Sequence, residues 1–198
     1  MVPASQYVDT LMLAAEYALP GTIVECGVWR GGMIAGIAET VGPQRPYYLC
    51  DSFEGLPPAR TEDGPAAKAY QSNPADPDYF DNCRSEQGWA ERAMKLAKAH
   101  DVTILKGWFN DTIPTLRPAT PIALLRLDAD WYESTRVCLQ HLYPLVLPGG
   151  LILIDDYYTW DGCTKAVNEY LATLPEPERI RSTPSGVAYI LRGSGGRK

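Results

Sequence analysis

Two short apolar runs end in pairs of carboxylates, and this is the pattern in the chain best suited to chemistry. Residues 123–130 (ALLRLDAD) end at Asp128 and Asp130, and residues 149–157 (GGLILIDDY) place Asp155 and Asp156 after a similar run. Continuous Leu/Ile runs are typical of buried strands in a parallel sheet, and ligands of such sheets bind outside the carboxyl ends of the strands. Four carboxylates at one rim repel one another unless a cation or protons intervene. The pattern therefore predicts a magnesium-type site.

The same aspartates also have a structural interpretation. Aspartate is favoured at helix N-termini, so Asp155 and Asp156 could cap the helix that follows them, and Asp130 could cap a helix beginning near Tyr132. Arg126, inside the first apolar run, is expected to pair with a carboxylate structurally.

Length and composition limit the class of protein. A chain of 198 residues is long enough for one α/β domain without disulfides. The net charge of -6 and the sequence pI of about 4.9 argue against nucleic acid as a partner, because no basic stripe is present to neutralise phosphates. Five widely spaced cysteines without a CxxC motif indicate free thiols in a reducing cytoplasm. With no secretory signal pattern and no apolar run of membrane length, we expect no membrane partner.

A strand, a glycine turn and a helix follow an amphipathic opening helix at residues 1–20. The strand covers residues 22–26, the turn is GVWRGG at 27–32, and the helix runs from about 33 to 41. This order forms the first β-α unit of a nucleotide-type fold, although it is neither a P-loop nor GxGxxG. The spacing of Glu25, Gly27 and Gly31 resembles motif I of class I S-adenosylmethionine methyltransferases.

A second strand, residues 46–51, ends at Asp51, about 20 residues beyond the glycine turn, where nucleotide-binding folds place a carboxylate for ribose hydroxyls. Asp51 could instead cap the following turn through Ser52 and Phe53.

The segment 54–84 has few aliphatic residues, and a loop of this length inside one domain is often functional. It is expected to be an active-site lid or a surface insertion, and the Gly/Arg/Lys tail at 192–198 is expected to be flexible.

The remaining pattern completes an α/β fold. A helix at about 85–100 precedes a third strand at 102–106, and in the turn after it Trp108 or Phe109 could flank an adenine or belong to the core. After the fourth strand come a helix at 132–146, a turn at 148–150, a fifth strand at 151–155, a helix at 159–174 and a hairpin of 179–181 with 187–191. This predicts a Rossmann-like, mostly parallel seven-stranded sheet with a C-terminal antiparallel hairpin and helices on both faces.

Taken together, these stretches resemble the macrocin O-methyltransferase (TylF-type) family, whose members methylate sugar hydroxyls of natural products. The resemblance rests on residues 25–32 (ECGVWRGG), 51–57 (DSFEGLP), 107–112 (GWFNDT), 127–135 (LDADWYEST), 148–150 (PGG) and 155–157 (DDY). It implies S-adenosylmethionine as methyl donor, Mg²⁺ or another divalent cation held by Asp128, Asp155 and Asp156, and Asp130 as general base. The cofactor-binding residues expected from these motifs are Glu25, Gly27, Val28, Trp29, Gly31, Asp51, Ser52, Phe53, Gly107, Trp108, Phe109 and Asp128.

These expectations describe a Mg²⁺-dependent O-methyltransferase that acts on a hydroxyl, with a sugar of a natural product as the expected acceptor. Glu25 is expected to face the methionine end of the donor and accept hydrogen bonds from its ammonium group. Two other functions are compatible with the same scaffold. One is a protein that binds S-adenosylmethionine or S-adenosylhomocysteine without turnover, and the other is a nicotinamide-dependent oxidoreductase. The apolar opening helix could contribute to a homo-oligomer.

Overall fold

Seven strands form one sheet in the structure, a computed structural model that describes residues 2–193. They are β1 (Thr22–Cys26), β2 (Tyr47–Asp51), β3 (Val102–Lys106), β4 (Ile122–Leu127), β5 (Val146–Ile154), β6 (Arg181–Ser182) and β7 (Ala188–Leu191). The sheet order is β3-β2-β1-β4-β5-β7-β6, in which β7 pairs antiparallel with both β5 and β6. The other pairs are parallel, so the predicted sheet with its closing hairpin is confirmed.

Helices cover both faces of the sheet. They are α1 (Ala4–Tyr17), α2 (Gly32–Val41), α3 (Gly64–Ser72), α4 (Gln87–Leu96), α5 (Phe109–Thr112), α6 (Tyr132–Leu142) and α7 (Asp161–Leu171). Alternate residues of each strand point to opposite faces. Leu124 of β4 therefore packs in one core with α1, α2 and α4, while its neighbour Leu125 packs in the other with α6 and α7.

The fifth strand begins earlier than expected. The predicted turn at 148–150 is wrong, because Pro148, Gly149 and Gly150 lie inside β5. Gly149 has φ +82°, and its N–H donates to the carbonyl oxygen of Arg192 at 2.7 Å. Proline and glycine are typical of turns, but here they form an irregular stretch inside a strand, so the sequence pattern predicted a turn.

Four predicted helices are shorter than expected, and two helices, α3 and α5, were not predicted. The stretches expected at 1–20, 85–100, 132–146 and 159–174 are helical over Ala4–Tyr17, Gln87–Leu96, Tyr132–Leu142 and Asp161–Leu171. The turn expected after β3 contains the short helix α5. Within the segment 54–84, α3 spans Gly64–Ser72, between short 3₁₀ turns at Thr61–Asp63 and Phe80–Cys83. The expected flexible tail lies outside the described residues from 194 onward.

The five cysteines are free, and four of them are buried. Cys26 on β1 and Cys50 on β2 are register partners in the sheet, and both are fully buried. Outside the sheet, α1 exposes Val8 and Met12 to solvent. No helix within residues 2–193 is long and apolar enough to cross a bilayer.

Candidate functional site

A cavity of about 850 Å³ opens at the carboxyl ends of the parallel strands. Most of the residues expected at a donor and metal site line it, namely Glu25, Gly27, Val28, Trp29, Asp51, Ser52, Gly107, Trp108, Phe109, Asp128, Asp130, Asp155 and Asp156. The edge of the sheet predicted to carry the ligands is therefore the edge that encloses this space.

Backbone hydrogen bonds continue the sheet just past the strand ends. Gly27 N–H donates to the Cys50 carbonyl at 2.9 Å, Asp128 N–H to the Cys26 carbonyl at 2.8 Å, and Asp155 N–H to the Leu127 carbonyl at 2.9 Å. These bonds fix the backbone from which the acidic side chains project.

Gly27 occupies a position that only glycine fits. Its φ is +85°, and a Cβ atom there would lie 1.7 Å from the carbonyl oxygen of Asp128. The first strand can therefore lie against the acidic end of β4 only if residue 27 has no side chain.

Asp51 organises the glycine turn. Its Oδ2 accepts the backbone N–H groups of Val28 and Trp29, each at 2.7 Å, and its Oδ1 accepts that of Phe53 at 2.6 Å. The capping interpretation is therefore observed, and the carboxylate also lines the cavity. Burial, the largest influence, raises the pKa of Asp51 above its ordinary value, and the three N–H donors oppose that rise.

Two of the residues expected at the donor site do not line the cavity. Gly31, with φ +79°, packs against α4, where a Cβ atom would lie 2.8 Å from the Cα atom of Ala90. Phe53 is buried in the core shared by α1, α2 and α4. Both residues lie in the turns beside the cavity but face away from it.

The two aromatic residues after β3, expected either to flank an adenine or to belong to the core, differ in their surroundings. Trp108 is exposed at the cavity, while Phe109 lines the cavity and also packs against the core beneath α6.

Arg126 is a buried cation that binds three carboxylates at once. Its Nη1 donates to Glu25 Oε1 at 2.8 Å and to Asp128 Oδ2 at 2.9 Å, and its Nη2 donates to Asp155 Oδ1 at 2.6 Å. The expected structural pairing is therefore observed, with three partners rather than one. Glu25 is buried, and its second oxygen, Oε2, has no hydrogen-bond partner. Burial raises the pKa of Glu25 to about 8, against the opposing effect of Arg126.

Carboxylate oxygens of Asp128, Asp130 and Asp156 lie within 4.8 Å of one another, a spacing that suits a shared metal ion. Burial, followed by the negative charge of Asp128, raises the pKa of Asp130 to about 8. The pKa of Asp128 rises to about 6, mainly through burial, and that of Asp156 rises well above its ordinary range for the same reason. Repulsion from neighbouring carboxylates adds to each rise, so a cation bound among them would be stabilised electrostatically.

Asp155 is not part of this close group, and one of its oxygens accepts a hydrogen bond from Arg126, as one oxygen of Asp128 also does. It still lines the cavity beside Asp156.

The capping interpretation of these aspartates is not observed. No side-chain bond caps α6 or α7 from its N-cap residue, Trp131 or Trp160. The N–H of Tyr132, in the first turn of α6, instead donates to Asp63 Oδ1 at 2.7 Å. Asp130 is therefore free of a helix-capping role, and it adopts the left-handed backbone region with φ +54°.

The sequence matches the family described as Macrocin-O-methyltransferase (TylF) over residues 5–181. The chain belongs to this family.

Curated relatives of this TylF-family chain are named as O-methyltransferases. It is 38% identical to demethyldecarbamoylnovobiocin O-methyltransferase of Streptomyces niveus, over 78% of this chain and 59% of that protein. It is 37% identical to mycinamicin III 3''-O-methyltransferase of Micromonospora griseorubida, over 79% of this chain and 63% of that protein. The chain thus spans about three fifths of the length of the curated relatives that it matches.

Two solved methyltransferase structures resemble this chain in fold. The O-methyltransferase NovP is 30% identical and superposes with a TM-score of 0.75, covering 94% of this chain and 79% of that one. The calicheamicin methyltransferase CalS11, 24% identical with a TM-score of 0.71 over 96% of this chain and 81% of that one, shares the fold.

The segment 54–84 of this TylF-family chain forms a wall of the cavity through Leu56, Pro57, Tyr70, Phe80 and Cys83. Phe80, Asp81, Asn82 and Cys83 all have φ between +45° and +60°, a left-handed turn that is costly for residues with a Cβ atom. The Asn82 side chain steadies it by donating to the Leu56 carbonyl at 2.8 Å and accepting from Gln71 Nε2 at 3.1 Å. The low aliphatic content of residues 54–84 indicated a lid or an insertion, but it did not predict the helix α3 or the left-handed turn.

Trp160 is a site residue that the sequence did not identify. Its Nε1–H donates to Asp130 Oδ1 at 3.0 Å, and its ring packs edge-on against Trp131 and Tyr70. Trp160 lies at the N-cap of α7, and nothing in the helical pattern of 159–174 indicates that its indole N–H faces the acidic group.

Proposed function

We propose that this chain is an S-adenosylmethionine-dependent, divalent-cation-dependent O-methyltransferase that acts on a hydroxyl of a natural-product sugar. The observation that carries the proposal is the meeting of two unlike sites in one cavity. A buried carboxylate oxygen without a partner, on Glu25, lies at the same strand ends as the close group Asp128, Asp130 and Asp156. A cationic donor and a metal-bound hydroxyl are the reactants that such a pair of sites would hold.

Glu25 is proposed to bind the ammonium group of the donor. Its Oε1 is already engaged by Arg126, whereas Oε2 is buried and unpartnered, and such an oxygen is costly unless a ligand supplies a donor. Asp51, whose Oδ1 accepts a single backbone N–H, is proposed to accept a ribose hydroxyl. The absence of a side chain at Gly27 allows the donor to lie against the backbone, and Trp108 is proposed to flank its adenine.

The acidic group fits a hard divalent cation. Within residues 2–193, no Lys, Arg or His pairs with Asp130 or Asp156, so their charges are not neutralised by the protein itself. Carboxylate oxygens are the ligands that Mg²⁺ prefers, and the ion commonly keeps several waters. When bound, the cation would lower the pKa of an acceptor hydroxyl and orient it.

Asp128 and Asp156 are proposed as ligands because both the family resemblance and the observed spacing include them. The resemblance implies Asp155 as the third ligand, whereas the observed spacing favours Asp130. Asp130 is proposed as the proton acceptor for the hydroxyl, because its carboxylate lines the cavity and its pKa, raised by burial to about 8, suits a base near neutral pH.

The sugar acceptor is inferred from the relatives. One, 35% identical over 82% of this chain and 64% of that protein, is named as a 4'-O-methyltransferase of a rhamnosyl-bearing tetracenomycin from Streptomyces olivaceus. The free buried thiols additionally support a reducing, cytoplasmic setting for this chain.

Labelled methyl transfer to a panel of deoxysugar-bearing acceptors tests the proposal, together with calorimetry for S-adenosylhomocysteine and NAD(P). We expect micromolar binding of S-adenosylhomocysteine, no NAD(P) binding, and turnover that EDTA abolishes and Mg²⁺ restores. Binding without turnover on any acceptor would make the chain a binding protein. Binding of NAD(P) in place of S-adenosylhomocysteine would favour an oxidoreductase. Turnover undiminished in excess EDTA would show that the reaction does not require a metal ion.

Mg²⁺ titration of single variants separates ligands from base. Asp156→Asn is expected to lose metal affinity and turnover together. Asp130→Asn is expected to lose most turnover, and wild-type turnover in that variant would remove the base assignment. Weaker Mg²⁺ binding in Asp155→Asn than in Asp130→Asn assigns the third ligand to Asp155, and the reverse order assigns it to Asp130.

A further inference from the structure

Arg126 links the two halves of the cavity through a single planar group. One of its nitrogens, Nη1, donates both to Glu25 on the donor side and to Asp128 on the cation side, while Nη2 reaches Asp155. All three distances lie between 2.6 and 2.9 Å, and the side chain is only 2% exposed. Both terminal nitrogens of the guanidinium, Nη1 and Nη2, therefore bind carboxylates of the site.

The sheet register explains how one residue reaches both sides. Arg126 and Glu25 are register partners on the adjacent strands β4 and β1. On the other side of β4, Arg126 is registered with Leu153 of β5, two residues before Asp155. The guanidinium thus lies centrally under the three strand ends that carry the proposed ligands.

Each of these hydrogen bonds also selects which carboxylate oxygen is left for a ligand. Binding Glu25 through Oε1 leaves Oε2 unpartnered, and binding Asp128 through Oδ2 and Asp155 through Oδ1 leaves their other oxygens free of Arg126. Because a guanidinium is rigid and planar, the orientations of the three carboxylates are set together.

On the basis of the proposed function, we propose that Arg126 is a positioning residue that fixes the donor-side and cation-side carboxylates as one unit. Donor affinity and cation affinity then depend on the same side chain, although neither ligand needs to touch it. A plain charge-neutralising role is the alternative, and a lysine would fulfil that role.

Arg126→Lys distinguishes the two roles because it keeps the charge and loses the planar fork. We expect the Kd values for S-adenosylhomocysteine, measured in EDTA, and for Mg²⁺, measured without cofactor, both to rise by about 10-fold or more, as is typical when a group orienting metal ligands is altered. Arg136→Lys is the matched control, because Arg136 also makes a two-nitrogen contact, with Glu133 on the surface of α6. It should leave both Kd values unchanged.

Wild-type values for both ligands in a folded Arg126→Lys protein would overturn the proposal. If wild type itself binds neither ligand, the proposed function fails instead, so the two failures are distinguishable. If circular dichroism shows that Arg126→Lys does not fold, Glu25→Ala serves in its place, since it removes the donor-side acceptor of Arg126 and leaves the cation-side carboxylates unchanged. It should weaken Mg²⁺ binding through Arg126, and unchanged Mg²⁺ affinity in that variant would overturn the proposal.

Discussion

The indole N–H of Trp160 donates to Oδ1 of Asp130 at 3.0 Å, so the residue that precedes α7 contacts a carboxylate that follows β4. This bond lowers the pKa of Asp130, against the stronger effect of burial that raises it. The pKa of Asp130 therefore reflects two opposing effects, burial and the hydrogen bond from Trp160.

Trp160→Phe should move the activity profile toward higher pH. Without the donated hydrogen bond the pKa of Asp130 rises further, so less of the basic form is present near neutral pH. We expect the acidic limb of kcat/KM against pH to shift upward by about one pH unit, since a hydrogen bond to a charged group is of that strength. An unshifted limb would show that Asp130 does not control the profile.

Gly27→Ala should abolish S-adenosylhomocysteine binding and strongly destabilise the fold. The new Cβ atom would overlap the Asp128 carbonyl oxygen, which is backbone and has no means of moving aside cheaply. Calorimetry and thermal unfolding measure both effects. Gly88→Ala in α4 is the matched control, because a Cβ atom there meets nothing within 4 Å and Gly88 does not line the cavity, and it should behave as wild type.

Asp63→Ala should destabilise the protein by about 1–2 kcal/mol, the usual cost of losing a helix-capping acceptor. Asp63 is buried, and its two oxygens accept the N–H groups of Tyr132 and Arg60, which joins the 54–84 segment to the start of α6. Urea unfolding measures the change. The exposed neighbour Glu62 provides the control, and Glu62→Ala should stay within experimental error of wild type.

The metal-free protein should lose stability as pH rises from about 5 to 8. The pKa values of Glu25 and Asp130 are raised to about 8 in the folded state, whereas the unfolded chain ionises near the ordinary values of about 4. Above pH 4 the unfolded state therefore holds fewer protons, and the free energy of unfolding falls until pH passes about 8. We expect a loss on the order of a few kcal/mol in urea unfolding with EDTA.

Mg²⁺ should reduce that loss, because a cation in the acidic group compensates the charges that ionisation creates. Equal stability at pH 5.5 and pH 8 in EDTA would contradict the raised pKa values.

The sequence predicted which acidic residues lie at the strand ends that line the cavity. Asp51, Asp128 and Asp156 follow apolar runs, and in a parallel sheet the carboxyl ends of such runs must meet at one edge. The glycine turn was predictable for a different reason, because the pattern from Glu25 to Gly31 is local in the chain.

The contacts between distant side chains could not be predicted. The three-way binding of Arg126 depends on the register of β1, β4 and β5, and no sequence pattern gives that register to within one residue. The helix Gly64–Ser72 and the left-handed turn at Phe80–Cys83 are held by side-chain hydrogen bonds of Gln71 and Asn82 to residues 11 to 26 positions away, which local sequence preference does not predict.

Two free cysteines on adjacent strands, Cys26 on β1 and Cys50 on β2, can report the separation of these strands. Cys26 and Cys50 are fully buried neighbours, and burial contributes to a pKa well above the ordinary value for both thiols. A thiol reagent therefore reaches them only when β1 and β2 separate, so the rate of their labelling measures how often the strands that hold the glycine turn come apart. Saturating ligand should slow that labelling, while Cys83 at the cavity wall marks local exposure instead.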